Sequence, residues 1–203
     1  ILGGLIYNTF LCAKYGIHVQ GISDQDIQLA GGLVEKDRGA GKIVEPPVVV
    51  EADSMDGAKE IRKRHVEDFQ KGKSYGYFLD VAAESFETDE IRDVFSGASS
   101  IFVNAVMGYL PYHPEGTRAL YDAVASNARA MKLFGGGDTL KELRHLKPEI
   151  YLHADEDPTY YFFTGGGTVL KAIRLGSPYE LPTVRALMAS RRQFPSIPPG
   201  PRK

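Results

Sequence analysis

Apolar and polar positions follow two rhythms along this chain. A helical rhythm puts Leu5, Ile6, Thr9, Phe10 and Ala13 on one face, which predicts a helix over 5–15, stopped by Gly16. Asp24 is the expected N-cap of a second helix running through Lys36, with a turn over 37–41. Ile43-Val44 and residues 48–50 read as strand, interrupted by Pro46-Pro47. Residues 54–73 are highly charged and weakly periodic, and read as a surface excursion. Short apolar runs over 77–81, 100–103, 130–134 and 160–163 predict strands. Between and after them come helical stretches. One is capped by Thr88, runs through Phe95 and is ended by Gly97; one runs from Glu115 to about Arg129; others cover 140–146 and the run up to Arg174. Ile1-Leu2 reads as the end of a strand that turns at Gly3-Gly4.

Strands alternating with helices predict an α/β fold: a three-layer, mainly parallel, Rossmann-like sheet with helices on both faces. Ligands of such sheets sit at the carboxyl ends of the strands. Gly3-Gly4, Asn104, Gly135 to Thr139 and Thr164 to Gly167 all fall at such ends. Two of these stretches share one layout. Phe134 leads into Gly135-Gly136-Gly137-Asp138-Thr139 and then a helix, while Phe163 leads into Thr164-Gly165-Gly166-Gly167-Thr168 and then a helix. Glycines let the backbone turn sharply and approach a ligand closely. The helix start that follows has free N–H groups and a partial positive charge, which suits an anion such as phosphate. Asp138 can cap its helix or hold magnesium on a phosphate. A tight connection between strand and helix is the other reading of either corner alone. Neither is a Walker A loop, since no Lys-Ser/Thr follows the glycines, and neither is Gly-x-Gly-x-x-Gly.

The chain has 203 residues, of which 43% are hydrophobic and 25% charged, ordinary values for one globular domain with appendages. With a net charge of -2, nothing global argues for nucleic acid or an anionic membrane as partner. No apolar run reaches the roughly 20 residues of a spanning helix. The single Cys12 excludes an internal disulfide and fits a reducing compartment. His18, His65, His113, His145 and His153 have no mutual metal-ligand spacing and are expected at the surface or in packing. Asp155-Glu156-Asp157 reads as a solvated acidic loop, and Tyr75, Tyr77, Tyr160 and Tyr161 as half-buried strand residues. The chain opens at Ile1 without a Met, inside an expected strand, so it is expected to be part of a longer polypeptide. Residues 1–187 are expected to form the domain. Residues 188–203, with Arg191-Arg192, Pro195, Pro198, Pro199, Pro201, Arg202 and Lys203, form a basic, proline-rich tail. Such a tail is either a disordered end or a segment that docks on a protein partner.

Taken in order, these motifs resemble the C-terminal, nucleotide-binding half of phosphoglycerate kinase. That family carries Gly-Gly-Gly-x-x-x-Thr-Phe-Leu, Trp-Asn-Gly-Pro-Met-Gly, Gly-Gly-Gly-Asp-Thr and Ser-Thr-Gly-Gly-Gly signatures and a Leu-Pro-Gly-Val ending. Here the counterparts are Gly3-Gly4 with Thr9-Phe10-Leu11, Phe102 to Gly108, Gly135 to Thr139, Phe163 to Gly167 and Leu181-Pro182-Thr183-Val184. Leu79-Asp80 and Gly116-Thr117 match as well. The resemblance implies a domain that binds magnesium ATP or ADP, with 3-phosphoglycerate held by a separate N-terminal domain and phosphoryl transfer occurring when the two close. It implies that Asp138 associates with magnesium, that Gly135, Gly136, Gly137, Thr139 and Asn104 lie at the phosphates, and that Gly3 and Gly4 lie beside the adenine. It also implies that Gly165, Gly166 and Gly167 serve the transferred phosphate.

The departures from the family fall at the nucleoside end. A family Gly-Pro after Leu-Asp-x stands here as Ala82-Ala83, which is expected to crowd the adenine. The Asn-Gly-Pro of the family is Asn104-Ala105-Val106, and the glutamate that holds the ribose falls at Pro111. The loop between the glycine corners is longer than the family norm, and the phosphate lysines lie upstream of Ile1. Two functions follow as expectations: a phosphoglycerate-kinase-like phosphotransferase, or a catalytically silent structural subunit that keeps the fold within a larger assembly.

Overall fold

The computed structural model describes residues 1–56, 60–154 and 156–191. In order, the elements are α1 (Gly4–Tyr15), β1 (His18–Val19), α2 (Asp24–Ala40), β2 (Val48–Ala52), β3 (Ile61–His65), β4 (Ser74–Tyr75), β5 (Tyr77–Val81), α3 (Asp89–Gly97), β6 (Ser100–Val103), α4 (Glu115–Ser126), β7 (Met131–Gly135), α5 (Gly137–Leu146), α6 (Pro148–His153), β8 (Tyr160–Phe163), α7 (Gly166–Leu175) and α8 (Pro182–Arg191). The α/β class holds. Strands β6, β7 and β8 form a parallel sheet in that order, and β1 pairs with β4 in parallel. Strand β2 is antiparallel to both of its neighbours, β3 and β5.

One apolar cluster joins the layers. It draws Tyr7, Phe10 and Leu11 from α1, Val49 and Val81 from the antiparallel sheet, Tyr121 from α4, and Phe134 from β7 with Leu143 of α5. Helix α1 is further tied to the antiparallel sheet by polar contacts. The Asn8 amide donates to the Phe78 carbonyl at 2.8 Å, and the buried Tyr7 hydroxyl donates to the Pro46 carbonyl at 2.6 Å.

Helix ends depart from expectation where a side chain serves the backbone. Ser23, not Asp24, caps α2: its hydroxyl accepts the Asp26 N–H at 3.2 Å, and Asp24 and Asp26 sit in the first turn, where negative charge is favoured. The helix runs on to Ala40. Asp37 lies in its last turn and accepts the N–H groups of Lys42 and Ile43, so Ile43-Val44 is a cap-stabilised coil rather than a strand. The charged excursion contains β3. Arg62 and Arg64 point toward the acids of β2 and its turn, pairing with Asp53 and Glu51, while Ile61, Lys63 and His65 face solvent. Tyr161 is exposed rather than half-buried. Helix α8 continues past the expected domain end at 187, and the rest of the proline-rich tail, residues 192–203, lies outside the described residues. No described helix is long and apolar enough to cross a membrane.

Helix α4 stops at Ser126 because Asn127 leaves the helical conformation and turns its buried side chain inward. Its amide nitrogen donates to the carbonyls of Phe95 at 2.7 Å and Ala98 at 2.9 Å, and its oxygen accepts the N–H groups of Arg129 and Ala130 at 3.0 Å. One side chain thus fastens the ends of α3 and α4 and the start of β7. Replacing Asn127 by Ala orphans buried backbone groups, and unfolding in denaturant should show a loss of about 2–4 kcal/mol.

Candidate functional site

The two glycine corners meet at the carboxyl ends of β7 and β8. Gly135 pairs with Phe163 in the sheet, and the Gly136 N–H donates to the Phe163 carbonyl at 2.9 Å. Gly136 has a φ of 100°, a region only glycine enters freely, and it opens α5 without a side-chain cap. The first backbone bond of α5 runs from the Leu140 N–H to the Gly136 carbonyl, so the N–H groups of Gly137, Asp138 and Thr139 have no carbonyl partner among the described residues. Helix α7 likewise opens after Gly165 without a side-chain cap.

The glycines do different work. A Cβ on Gly135 would lie 2.7 Å from the Phe163 ring and 2.9 Å from the Phe102 ring, two rings that stack 5.9 Å apart. A Cβ on Gly166 would lie 1.9 Å from Asn104 Oδ1 and 3.0 Å from the Gly136 nitrogen. These two glycines let rings and corners close up. Around Gly137 and Gly167 a Cβ would meet nothing within 4 Å.

A cavity of about 660 Å³ opens on this corner. Of the residues expected at a nucleotide, Gly3, Gly4, Asn104, Gly136, Gly137, Asp138, Thr139 and Gly167 line it. Gly135, Gly165 and Gly166 do not; Gly135 and Gly166 serve the packing just described. Asp138 is exposed and makes no hydrogen bond or ion pair among the described residues. Thr139 is buried, its carbonyl accepting the Tyr121 hydroxyl at 3.3 Å. Gly3 lies against Met107, whose sulfur would be 2.1 Å from a Cβ there, and the Gly4 N–H donates to the Met107 carbonyl at 3.2 Å.

Three residues expected to shape the nucleoside end are elsewhere. Ala82 is buried with its N–H bonded to the Val48 carbonyl at 3.0 Å, and neither it nor Ala83 or Pro111 lines the cavity. Ala82-Ala83 therefore does not crowd a ring there. The wall at this level is made by Phe78, Leu79 and Asp80 of β5 together with Tyr109. Outside the site, Asp157 of the acidic loop is engaged in a turn, accepting both the N–H and the hydroxyl of Thr159, while Asp155 lies outside the described residues. His113 is buried in packing, and burial lowers its pKa. The described residues contain no group of three or more His, Cys, Asp or Glu able to hold a metal ion.

Asp80 is the site residue whose weight the sequence did not reveal. It is 6% exposed, and its two oxygens accept the N–H groups of Val81 at 2.8 Å and Gly116 at 2.9 Å. Gly108 and Gly116 make room for it, since a Cβ on either would come within 2.6 Å of its carboxylate. Burial pushes its pKa up to about 7, outweighing the two N–H groups that favour the anion.

The sequence model of the family described as Phosphoglycerate kinase matches residues 1–174. Curated relatives named phosphoglycerate kinase include one from Dictyoglomus turgidum, 27% identical across 92% of this chain and 44% of its own length. One from Chloroherpeton thalassium is 27% identical across 91% and 44%, and one from Lactobacillus johnsonii is 29% identical across 84% and 39%. The chain thus spans less than half the length of these relatives. Among solved structures, that of phosphoglycerate kinase from Coxiella burnetii superposes with a TM-score of 0.63 at 23% identity, over 81% of this chain and 41% of the other, a likeness of fold.

Two expectations follow from this geometry. Replacing Gly166 by Ala forces Asn104 away from Gly136 and should lower the denaturation temperature by several degrees, as overpacking costs about 1–3 kcal/mol. For Asp80 the folded pKa lies above the ordinary carboxylate value. Its contribution to stability is therefore present below about pH 4 and lost as the pH rises to about 7. Unfolding free energies measured across that range should fall by at most about 4 kcal/mol in the parent. The fall should be absent in Asp80→Asn, which cannot ionise.

Proposed function

The chain belongs to the phosphoglycerate kinase family, and from that premise we propose that it binds magnesium ADP or ATP in the cavity at the glycine corners and takes part in phosphoryl transfer with 3-phosphoglycerate. The acceptor would be held by a domain that this sequence does not contain. One observation carries the reading: two uncapped helix starts, α5 and α7, converge on a cavity beside an exposed carboxylate, Asp138, that has no partner within the described chain.

The roles follow from elementary chemistry. Free N–H groups at Gly137, Asp138 and Thr139 can donate to a phosphate oxygen, which sits at the favourable end of a helix dipole. Asn104, clasped between Gly136 and Gly166, presents an amide at a fixed position. Asp138 suits magnesium. That ion takes one or two carboxylates and completes its shell with phosphate oxygens and water, so it needs no cluster of three acids. When bound, magnesium neutralises charge on the phosphate oxygens. The chain supplies positioning, which is most of what phosphoryl transfer requires.

The second reading, a catalytically silent subunit that keeps the kinase fold within a larger assembly, is favoured by one specific feature. No Lys or Arg is among the described residues that line the cavity. Titration calorimetry of ADP into the full-length protein, with and without magnesium, separates the two. The enzyme-type reading expects roughly micromolar affinity that requires magnesium. In Asp138→Ala that magnesium dependence should vanish, with affinity down at least about tenfold, one missing charged contact of about 1.5–3 kcal/mol. Absence of binding at millimolar nucleotide leaves the silent-subunit reading in place.

A further inference from the structure

The loop after β6 leads away from the phosphate-suited corner to a second kind of surface. It begins at Asn104, held against Gly136 and Gly166. It passes Met107, whose carbonyl takes the Gly4 N–H, and reaches Tyr109, whose N–H donates to the Leu79 carbonyl of β5 at 2.7 Å. The loop is thus pinned at two places on the cavity wall, the glycine corners and β5. From Asn104 to Tyr109 the chain spans at most about 17 Å.

At the β5 end the wall is apolar and open. Tyr109 lines the cavity yet is 43% exposed, and it stacks on Tyr112, 60% exposed, with ring centres 6.0 Å apart and planes 24° from parallel. Neither phenol hydroxyl has a hydrogen-bond partner among the described residues. On the same cavity Leu5 is 64% exposed, Ile6 63% and Met55 45%. A chain gains little by ordering apolar side chains that it leaves in water. A stacked aromatic pair beside them is a rigid, preorganised face at low entropic cost.

We propose that Tyr109, backed by Tyr112, holds the nucleoside end of the bound nucleotide in this cavity by stacking on its base ring. The inference rests on the nucleotide reading above and adds to it the residue that holds the ring. With no carboxylate at Pro111, the nucleoside is held by stacking and apolar contact with Leu5, Ile6 and Met55. Recognition by a ring face tolerates any base, because every base has one.

The test compares two probes on the full-length protein: magnesium ADP, which has a ring, and magnesium pyrophosphate, which has none. Tyr109→Ala should weaken ADP roughly 5- to 100-fold and leave pyrophosphate unchanged, which also shows that the variant is folded. Tyr109→Phe keeps the ring and should bind ADP within about twofold of the parent, since stacking uses the face and not the hydroxyl. Unchanged ADP affinity in Tyr109→Ala overturns the proposal, and so does an equal loss for both probes. A parent that binds pyrophosphate but gains nothing from the nucleoside overturns it while leaving the phosphate corner intact. A parent that binds neither probe overturns the nucleotide reading itself, and this inference with it.

Discussion

The structure depends on how closely two backbone corners approach. The Gly136 N–H meets the Phe163 carbonyl at 2.9 Å, and Asn104 is wedged where Gly166 has no side chain. This contact ends the β7–β8 ladder at Gly135 and Phe163, and from it α5 and α7 start. A methyl group at either Gly135 or Gly166 would have to displace a ring or the Asn104 amide, and close-packed interiors yield little room for that. The glycines of the two corners are thus a constraint of the fold before they are anything else.

The second constraint lies under the opposite wall. Burying a carboxylate costs several kcal/mol unless its oxygens are satisfied. For Asp80 two backbone N–H groups, one at the end of its own strand and one at the start of α4, offset part of that cost, and its raised pKa records the remainder. Since Gly116 lies in the first turn of that helix and Gly108 also lies against the Asp80 carboxylate, one side chain ties β5, α4 and the loop before α4 together. The loop from Asn104 to Tyr109 therefore has both its flanks set, one by the glycine corners and one by Asp80.

Strands β5, β6 and β8 were legible to the residue because they are short, mainly apolar runs rich in aromatic and β-branched residues. Helix ends were not, because capping is decided by side chains that reach backwards or sideways. Asp37 extends α2 beyond Lys36, and Asn127 cuts α4 short of Arg129. Strand β3 was hidden because its inward residues are Arg62 and Arg64, paired with Asp53 and Glu51, so the period of two is written in charge rather than hydrophobicity. At the site, the glycine motifs pointed to the corner on which the cavity opens. The facing of Ala82 and Ala83 could not be read from their spacing, since it is fixed by a bond to Val48 from a strand more than thirty residues earlier. Tyr109 carried no motif. Its signal was an aromatic residue directly after Met107-Gly108 on a loop that must pass the cavity.

These distinctions change what the glycine motifs say about function. Gly135 and Gly166 would remain in any chain that keeps this fold, whether or not it binds a ligand, because their neighbours leave no space for a Cβ. Gly137 and Gly167 are different. Both lie in the first turn of a helix, and a Cβ on either would touch nothing within 4 Å. Neither has the positive φ that would call for glycine. Packing and backbone geometry thus give no reason for them, whereas a ligand that must approach the helix starts closely does. Asp138, exposed between Gly137 and Thr139 without a partner among the described residues, points the same way. The case for a working phosphate site rests on these three positions, which the fold does not require.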